Sequence, residues 1–241
     1  MRFILRRIRF KEIVIQAIVN SFCKTLKLKT MLTTKNLAFQ YTDAKTMIFP
    51  DIDLQRGEQG LLLGQSGSGK TTLLHLLGGL LSPKSGAIQI NDQNLSILRG
   101  SALDSFRGKN IGIVFQTAHF IRSLTVEENL MVAQQLSGNK IDKPLIFNFL
   151  QKLNLSHKLK SKPNELSIGE AQRANIARAL INAPSLILAD EPTSALDDKN
   201  AEEVIKLLEQ QAAEVNATLL IVTHDGRLKS YFNNQISLGD N

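Results

Sequence analysis

An α/β fold built around a phosphate-binding loop is what this sequence predicts, and three observations carry the prediction. A leucine run at residues 61–63 leads into Gly64-x-x-x-x-Gly69-Lys70-Thr71 and then into a helix-patterned segment, residues 70–80, the strand–loop–helix order of a P-loop. Two further apolar runs, residues 185–191 and 217–225, end in acids and in His224-Asp225, as strands do when their carboxyl ends build a site in an open parallel sheet. Between the P-loop and these runs, residues 120–165 switch to helical periodicity with few β-branched runs.

Composition limits the alternatives. With 241 residues, 43% hydrophobic and 21% charged, the chain suffices for one α/β domain with a helical satellite but not for two full domains plus a membrane part. No apolar run approaches the ~20 residues of a membrane helix. A single cysteine, Cys23, rules out an internal disulfide and fits a reducing compartment. The net charge of +7 sits entirely in residues 1–30, where eight Lys/Arg face the single acid Glu12, and the remaining bases and acids balance. The body is therefore electrically neutral and lacks the footprint of a nucleic-acid groove.

Residues 1–30 interleave arginines with Phe3, Ile4, Leu5, Ile8 and Phe10, a pattern open to two readings. One is a basic amphipathic helix for a membrane surface or for targeting. The other, preferred here because Met31 directly precedes the first strand pattern, is an upstream extension with Met31 as the true start. The folded domain is then residues 31–241, with a helical subdomain at about 118–168.

Residues 32–40 and 46–54 alternate apolar and polar and read as strands of an antiparallel layer. Tyr41, between them, either stacks on an adenine ring or is an exposed turn residue. In the P-loop, Gly64, Gly67 and Gly69 let the backbone bend tightly and aim N–H groups at a phosphate, with Gln65, Ser66 and Ser68 between them. The helix that starts there adds its positive end to the same anion site. Lys70 supplies a point charge for the β- and γ-phosphates, the Thr71 hydroxyl can ligate Mg²⁺, and Thr72 continues the helix.

Residues 87–90 read as a strand, 98–106 as a short helix and 111–116 as a buried strand ending in Gln116. That amide either reaches a metal or water beside the phosphates or is a plain loop amide. Thr125 is an N-cap candidate for a helix with Glu127 and Glu128 in its first turn, and residues 144–153 give a second helix. Ser167 caps another helix, and Gly169 lets a ligand approach its backbone. At the end of the strand 185–191, Asp190 is suited to hold Mg²⁺ through water and Glu191 to polarise an attacking water, unless both are merely a solvated strand end.

Taken together, these clusters resemble the nucleotide-binding subunit of ATP-binding cassette (ABC) transporters over residues 32–241. Residues 64–71 match Walker A, Gln116 the Q-loop, residues 166–170 the signature loop and residues 186–190 Walker B. Glu191 matches the catalytic glutamate, residues 194–197 with Asp197 the D-loop, His224 the switch histidine and Tyr41 the adenine-stacking aromatic. Ile168 and Glu170 depart from the family's Leu-Ser-Gly-Gly-Gln. Residues 107–116 and 124–129 look like the branch serving lipoprotein release, macrolide export and cell division.

The resemblance implies a mixed core sheet with an antiparallel layer and an inserted helical subdomain. It also implies an ATPase that binds ATP and Mg²⁺ in a head-to-tail homodimer, in which Ser167, Gly169, Glu170 and Asp197 of one copy meet the other's nucleotide. Lys70 would stabilise transferred charge. Thr71, Gln116 and Asp190 would organise the metal, Glu191 would act as general base and His224 would contact the γ-phosphate. The expected partner is a membrane permease at the cytoplasmic face, with no regulatory domain after the short tail and no nucleic acid. The rival classes are a soluble ABC ATPase of translation or repair, for which the second cassette or coiled-coil insertion is missing, and a P-loop kinase, which has no use for the signature and D-loop.

Overall fold

Alternation along four short strands decides the architecture. The computed structural model describes residues 30–42, 44–194 and 196–239. The expected basic extension, except for Thr30, and Ala195 of the D-loop segment lie outside them. Strands β4 (Gln59–Gly64), β7 (Ile111–Val114), β8 (Leu186–Asp190), β9 (Thr218–Thr223) and β10 (Asn234–Leu238) form a sheet in the order β10-β4-β9-β8-β7. Successive side chains point to opposite faces. Leu61, Ile187, Ala189, Leu219 and Ile221 pack against Ile176 and Leu180 of α5 (Ile168–Leu180) and Val204, Ile205 and Leu208 of α6 (Asp198–Glu214). Leu62, Leu188, Leu220 and Val222 belong to a second core with Leu73, Leu74, Leu76 and Leu77 of α1 (Lys70–Leu77). With both faces covered, the strands read as nearly continuous apolar runs. Each such leucine contributes roughly 1.5–3 kcal/mol by burial.

Every described pairing in this sheet is parallel. The mixed character expected of the core lies between two sheets, because the second one is antiparallel throughout. It comprises β1 (Thr30–Phe39), β2 (Met47–Ile48), β3 (Asp53–Gln55), β5 (Ser85–Ile90) and β6 (Gln93–Asn94). The single strand expected at 46–54 is split into β2 and β3. Pro50 lies in the gap and has no N–H to give a ladder. The interrupted backbone is rescued locally, with Phe49 N–H donating to the Leu37 carbonyl at 2.9 Å and Ile52 N–H to the Thr34 hydroxyl at 2.8 Å. Met31 is fully buried in this layer's core.

Helix α1 stops at Leu77, earlier than the residue 80 expected. Gly79 adopts φ 64°, its N–H bonds Leu76 O at 3.0 Å and Leu80 N–H bonds His75 O at 2.8 Å, a Schellman ending. After α2 (Gly100–Asn110) and β7, three helices pack together: α3 (Val126–Leu136), α4 (Lys143–Lys152) and α5 share a core of Val126, Leu130, Ile146, Leu150, Ala174 and Ala177. Thr125 caps α3 as expected, accepting from Glu128 N–H at 3.2 Å while the Glu128 carboxylate accepts from Thr125 N–H at 2.8 Å. This arrangement places the loops after β4, β7, β8 and β9 along one edge of the parallel sheet.

Candidate nucleotide site

The loop after β4 owes its shape to two different uses of glycine. Gly64 is needed for space, because a Cβ there would lie 2.6 Å from Ser68 Oγ and 3.2 Å from the Leu238 carbonyl oxygen. Gly69 is needed for conformation, with φ 94° at the N-cap of α1. Lys70 then turns back along the loop, and its Nζ donates to the carbonyls of Gly64 at 3.0 Å and Gln65 at 2.8 Å. The same ammonium is 3.6 Å from Glu191 Oε1, and both side chains are buried.

Asp190 ends β8 with its side chain hydrogen-bonded to the Thr71 hydroxyl. Burial raises its pKa above the ordinary carboxylate range. The Thr71 bond opposes that shift and the neighbouring Glu191 charge adds to it. Asp190 Oδ1 is buried without a partner among the described residues, as is Ser68 Oγ. A buried carboxylate oxygen left unpaired is costly unless something else completes it. Among the described residues no group of three or more His, Cys, Asp or Glu could hold a metal ion. Mg²⁺ needs no such cage, since it binds through one or two carboxylates, a hydroxyl, waters and substrate phosphates. The Asp190–Thr71 pair fits that chemistry.

Glu191 follows in the left-handed region with φ 47°, a conformation that costs a non-glycine residue of order 1 kcal/mol or more and must be imposed by its surroundings. Its N–H donates to the Val222 carbonyl at 2.8 Å. Thr223 Oγ1 donates to Oε2 at 2.7 Å, while Oε1 accepts from the backbone N–H of His224 at 3.1 Å and from its ring at 2.7 Å. Because an ionised carboxylate only accepts, a neutral His224 ring in this contact carries its proton on Nδ1. Gln116, two residues beyond β7, donates through Nε2 to Ser194 Oγ at 3.2 Å, and Ser194 Oγ donates to the Glu191 carbonyl at 3.1 Å.

These groups surround one cleft of about 350 Å³, lined by Met47, Ser66, Gly67, Gly69, Lys70, Thr71, Thr72, Gln116, Glu191 and His224. Gln65 borders the adjoining depression together with Ser66 and His224. Tyr41 stands at the side, its hydroxyl 3.1 Å from Thr72 Oγ1 and its ring edge-on to Phe39 with centroids 4.7 Å apart. The ring is 44% exposed.

Ser167, Gly169, Glu170 and Asp197 do not line this cleft. Ser167 caps α5, its Oγ accepting from Glu170 N–H at 3.3 Å while the Glu170 carboxylate accepts from Ser167 N–H at 2.8 Å. His157 Nε2 lies 3.3 Å and Lys158 Nζ 3.6 Å from the same carboxylate. The Ser167 backbone bond, chiefly, draws the Glu170 pKa down to about 2. Next to it Ile168 is 70% exposed. Asp197 caps α6, accepting from the backbone and side-chain nitrogens of Asn200 at 3.0 and 2.7 Å.

Sequence reading passed over Met47 and Thr223, which line or brace the cleft, and took Ser194 only as the first residue of the D-loop match. Thr223 carried a usable signal, a hydroxyl residue directly before the strand-end histidine. Met47 carried none, because it reaches the cleft from the other sheet.

A family model described as ABC transporter matches residues 50–194. The lipoprotein-releasing system ATP-binding protein LolD of Geobacter metallireducens is 39% identical over 215 residues, 88% of this chain and 96% of that protein. An uncharacterized ABC transporter ATP-binding protein of Mycobacterium tuberculosis is 38% identical over 203 residues, 82% of this chain, and the match spans only 61% of the mycobacterial protein. Among solved structures, the ATP-binding cassette MJ0796, a dimer in a post-hydrolysis state bound to ADP and Pi, superimposes with a TM-score of 0.78. It is 33% identical, over 87% of this chain and 95% of that one.

Proposed function

This chain belongs to the ABC transporter family, and from that premise we propose that it is the ATP-hydrolysing subunit of a membrane transporter. Two copies packed head to tail would bind MgATP between them and drive a separate membrane permease. The observation that carries this reading is the division of the chemistry. Lys70, Thr71, Gln116, Glu191 and His224 meet in one cleft, whereas Ser167, Gly169 and Glu170 stand outside it. A half-site and a detached cap call for a second copy, and the MJ0796 cassette is a dimer.

In this reading the P-loop N–H groups of residues 64–72 and Lys70 bind the β- and γ-phosphates, and Tyr41 stacks on the adenine. Thr71, Asp190 and Gln116 would hold Mg²⁺, whose charge would offset that of the phosphate oxygens. Glu191, fixed by Thr223 and His224, takes the proton of the attacking water, and His224 touches the γ-phosphate. Ser167, Gly169, Glu170 and Asp197 of the partner close the site.

The working unit is residues 31–241 with its helical subdomain at about 118–168. No helix among the described residues is long and apolar enough to cross a membrane, so the chain would reach the cytoplasmic face of the membrane through the permease. Likeness to the lipoprotein-releasing protein supports the export branch named above.

Glu191→Gln keeps shape but loses the proton acceptor, so the variant should elute as a dimer with MgATP and as a monomer with MgADP. Lys70→Ala should stay monomeric with both. A Glu191→Gln chain that remains monomeric with MgATP would overturn the composite site. Strong, salt-sensitive stimulation of the wild type by DNA would move the chain to the nucleic-acid class.

A further inference from the structure

The cleft shares one stretch of chain, residues 115–121, with a groove of about 440 Å³ lined in part by β7, and α5 grips that stretch at two backbone points. Asn175 lies in the middle of α5 and is 0% exposed. An amide buried without partners would be destabilising, so what it bonds to is informative. Its Nδ2 donates to the Phe115 carbonyl at 2.8 Å, and its Oδ1 accepts from Arg178 Nη2 at 3.1 Å. Arg178, one turn further on the same helix face, donates through Nη1 to the His119 carbonyl. Its guanidinium also lies over the Phe120 ring, 5.1 Å from the centroid. The two side chains therefore tie down both ends of residues 115–119, and Gln116 sits between the ties. From α3, Asn129 holds the next link, accepting from Ile121 N–H at 2.8 Å and donating to its carbonyl at 3.2 Å.

We propose that Asn175 and Arg178 are positioning residues that lock the backbone around Gln116 to α5, so that Gln116 moves in the cleft only as α5 moves. This rests on the reading of Gln116 given above. The same helix begins at Ser167, the residue assigned to the partner's nucleotide. Closure of a second copy onto Ser167 is then transmitted along a rigid helix, through two side chains, to the metal-side amide of the chain's own cleft. Two bonds on consecutive turns resist both sliding and tilting of the segment, which one bond would not.

The test compares steady-state ATP hydrolysis by the full-length wild type, Gln116→Ala, Asn175→Ala and the double variant, with thermal melts alongside. Losing the support of a metal-side ligand typically costs about 10–100-fold in activity. Asn175→Ala should lower kcat on that scale while KM for ATP changes less than about twofold. The double variant should be no slower than Gln116→Ala, since positioning is worthless once the positioned group is gone. Multiplicative losses in the double variant would reduce Asn175 to fold support and overturn the proposal. If Asn175→Ala does not fold, Arg178→Lys decides in its place, because it keeps the charge but not the two-pronged reach, and the same non-additivity is required. A slow Gln116→Ala beside normal Asn175→Ala and Arg178→Lys removes the latch alone. A Gln116→Ala of wild-type rate removes the reading of Gln116 and the latch with it.

Discussion

The P-loop cleft and the signature turn are both built at helix N-termini, yet they treat their polar groups in opposite ways. Around the cleft, Asp190 Oδ1 and Ser68 Oγ are buried without partners among the described residues, Glu191 is held in a left-handed backbone conformation, and Lys70 is crowded against a carboxylate. In the signature turn the capping box closes on itself, Glu170 has His157 and Lys158 beside it, and Ile168 faces solvent. The cleft combines a strained backbone with unmet valence, whereas the signature turn is locally satisfied at its cap; further along the same helix, Arg173 Nε is also buried without a partner among the described residues.

The largest expected effect is in the cleft. Glu191→Gln should slow hydrolysis by ~10²–10⁴-fold, the usual cost of losing a general base. Rates near wild type would mean that the strained backbone at 191 serves folding rather than chemistry. A smaller, divided effect is expected from Ser167→Ala. It should cost about 1 kcal/mol in urea unfolding through loss of the cap. ATP binding by the single chain, measured by equilibrium dialysis, should be kept, while MgATP-dependent dimerisation is weakened. Equal loss of binding in the isolated chain would erase the distinction between the two regions.

The smallest effect is a pH dependence. Glu170 has a folded-state pKa of about 2 against an ordinary 4.5, so its contribution is present above that ordinary value. It is lost as pH falls toward the folded value. Between about pH 5 and pH 3, wild-type melting temperature should therefore fall more than that of Glu170→Gln, whose amide oxygen can still accept the cap bond. Parallel curves would show that the turn is not held by the carboxylate charge.

What could be read from the sequence follows the same division. Glycines at 64 and 69 and the lysine were legible from their spacing, whereas the strand-end acids and the histidine, each open to a structural reading, took their expected roles from the family resemblance. The fold class was legible too, because strands covered on both faces are apolar throughout. Less legible were features set by distant partners. Pro50 split a strand that alternation alone ran through, and the Schellman turn at Gly79 shortened α1. Asn175 looked like one more polar residue in a helix, since only the packed structure brings the Phe115 carbonyl to it. Ser194, matched only as part of the D-loop, gains its role as a bracket from the packed structure, which brings Gln116 and the Glu191 carbonyl to its hydroxyl.

The aromatic content has an optical consequence. The chain has no tryptophan and two tyrosines, and one of them, Tyr41, bonds Thr72 beside the P-loop while the other, Tyr231, sits after β9 close to the far end of the chain. Near-ultraviolet emission is therefore not drowned by indole, and one of the two tyrosines stands beside the P-loop. The unlabelled protein carries its own reporter there, read above a background from Tyr231.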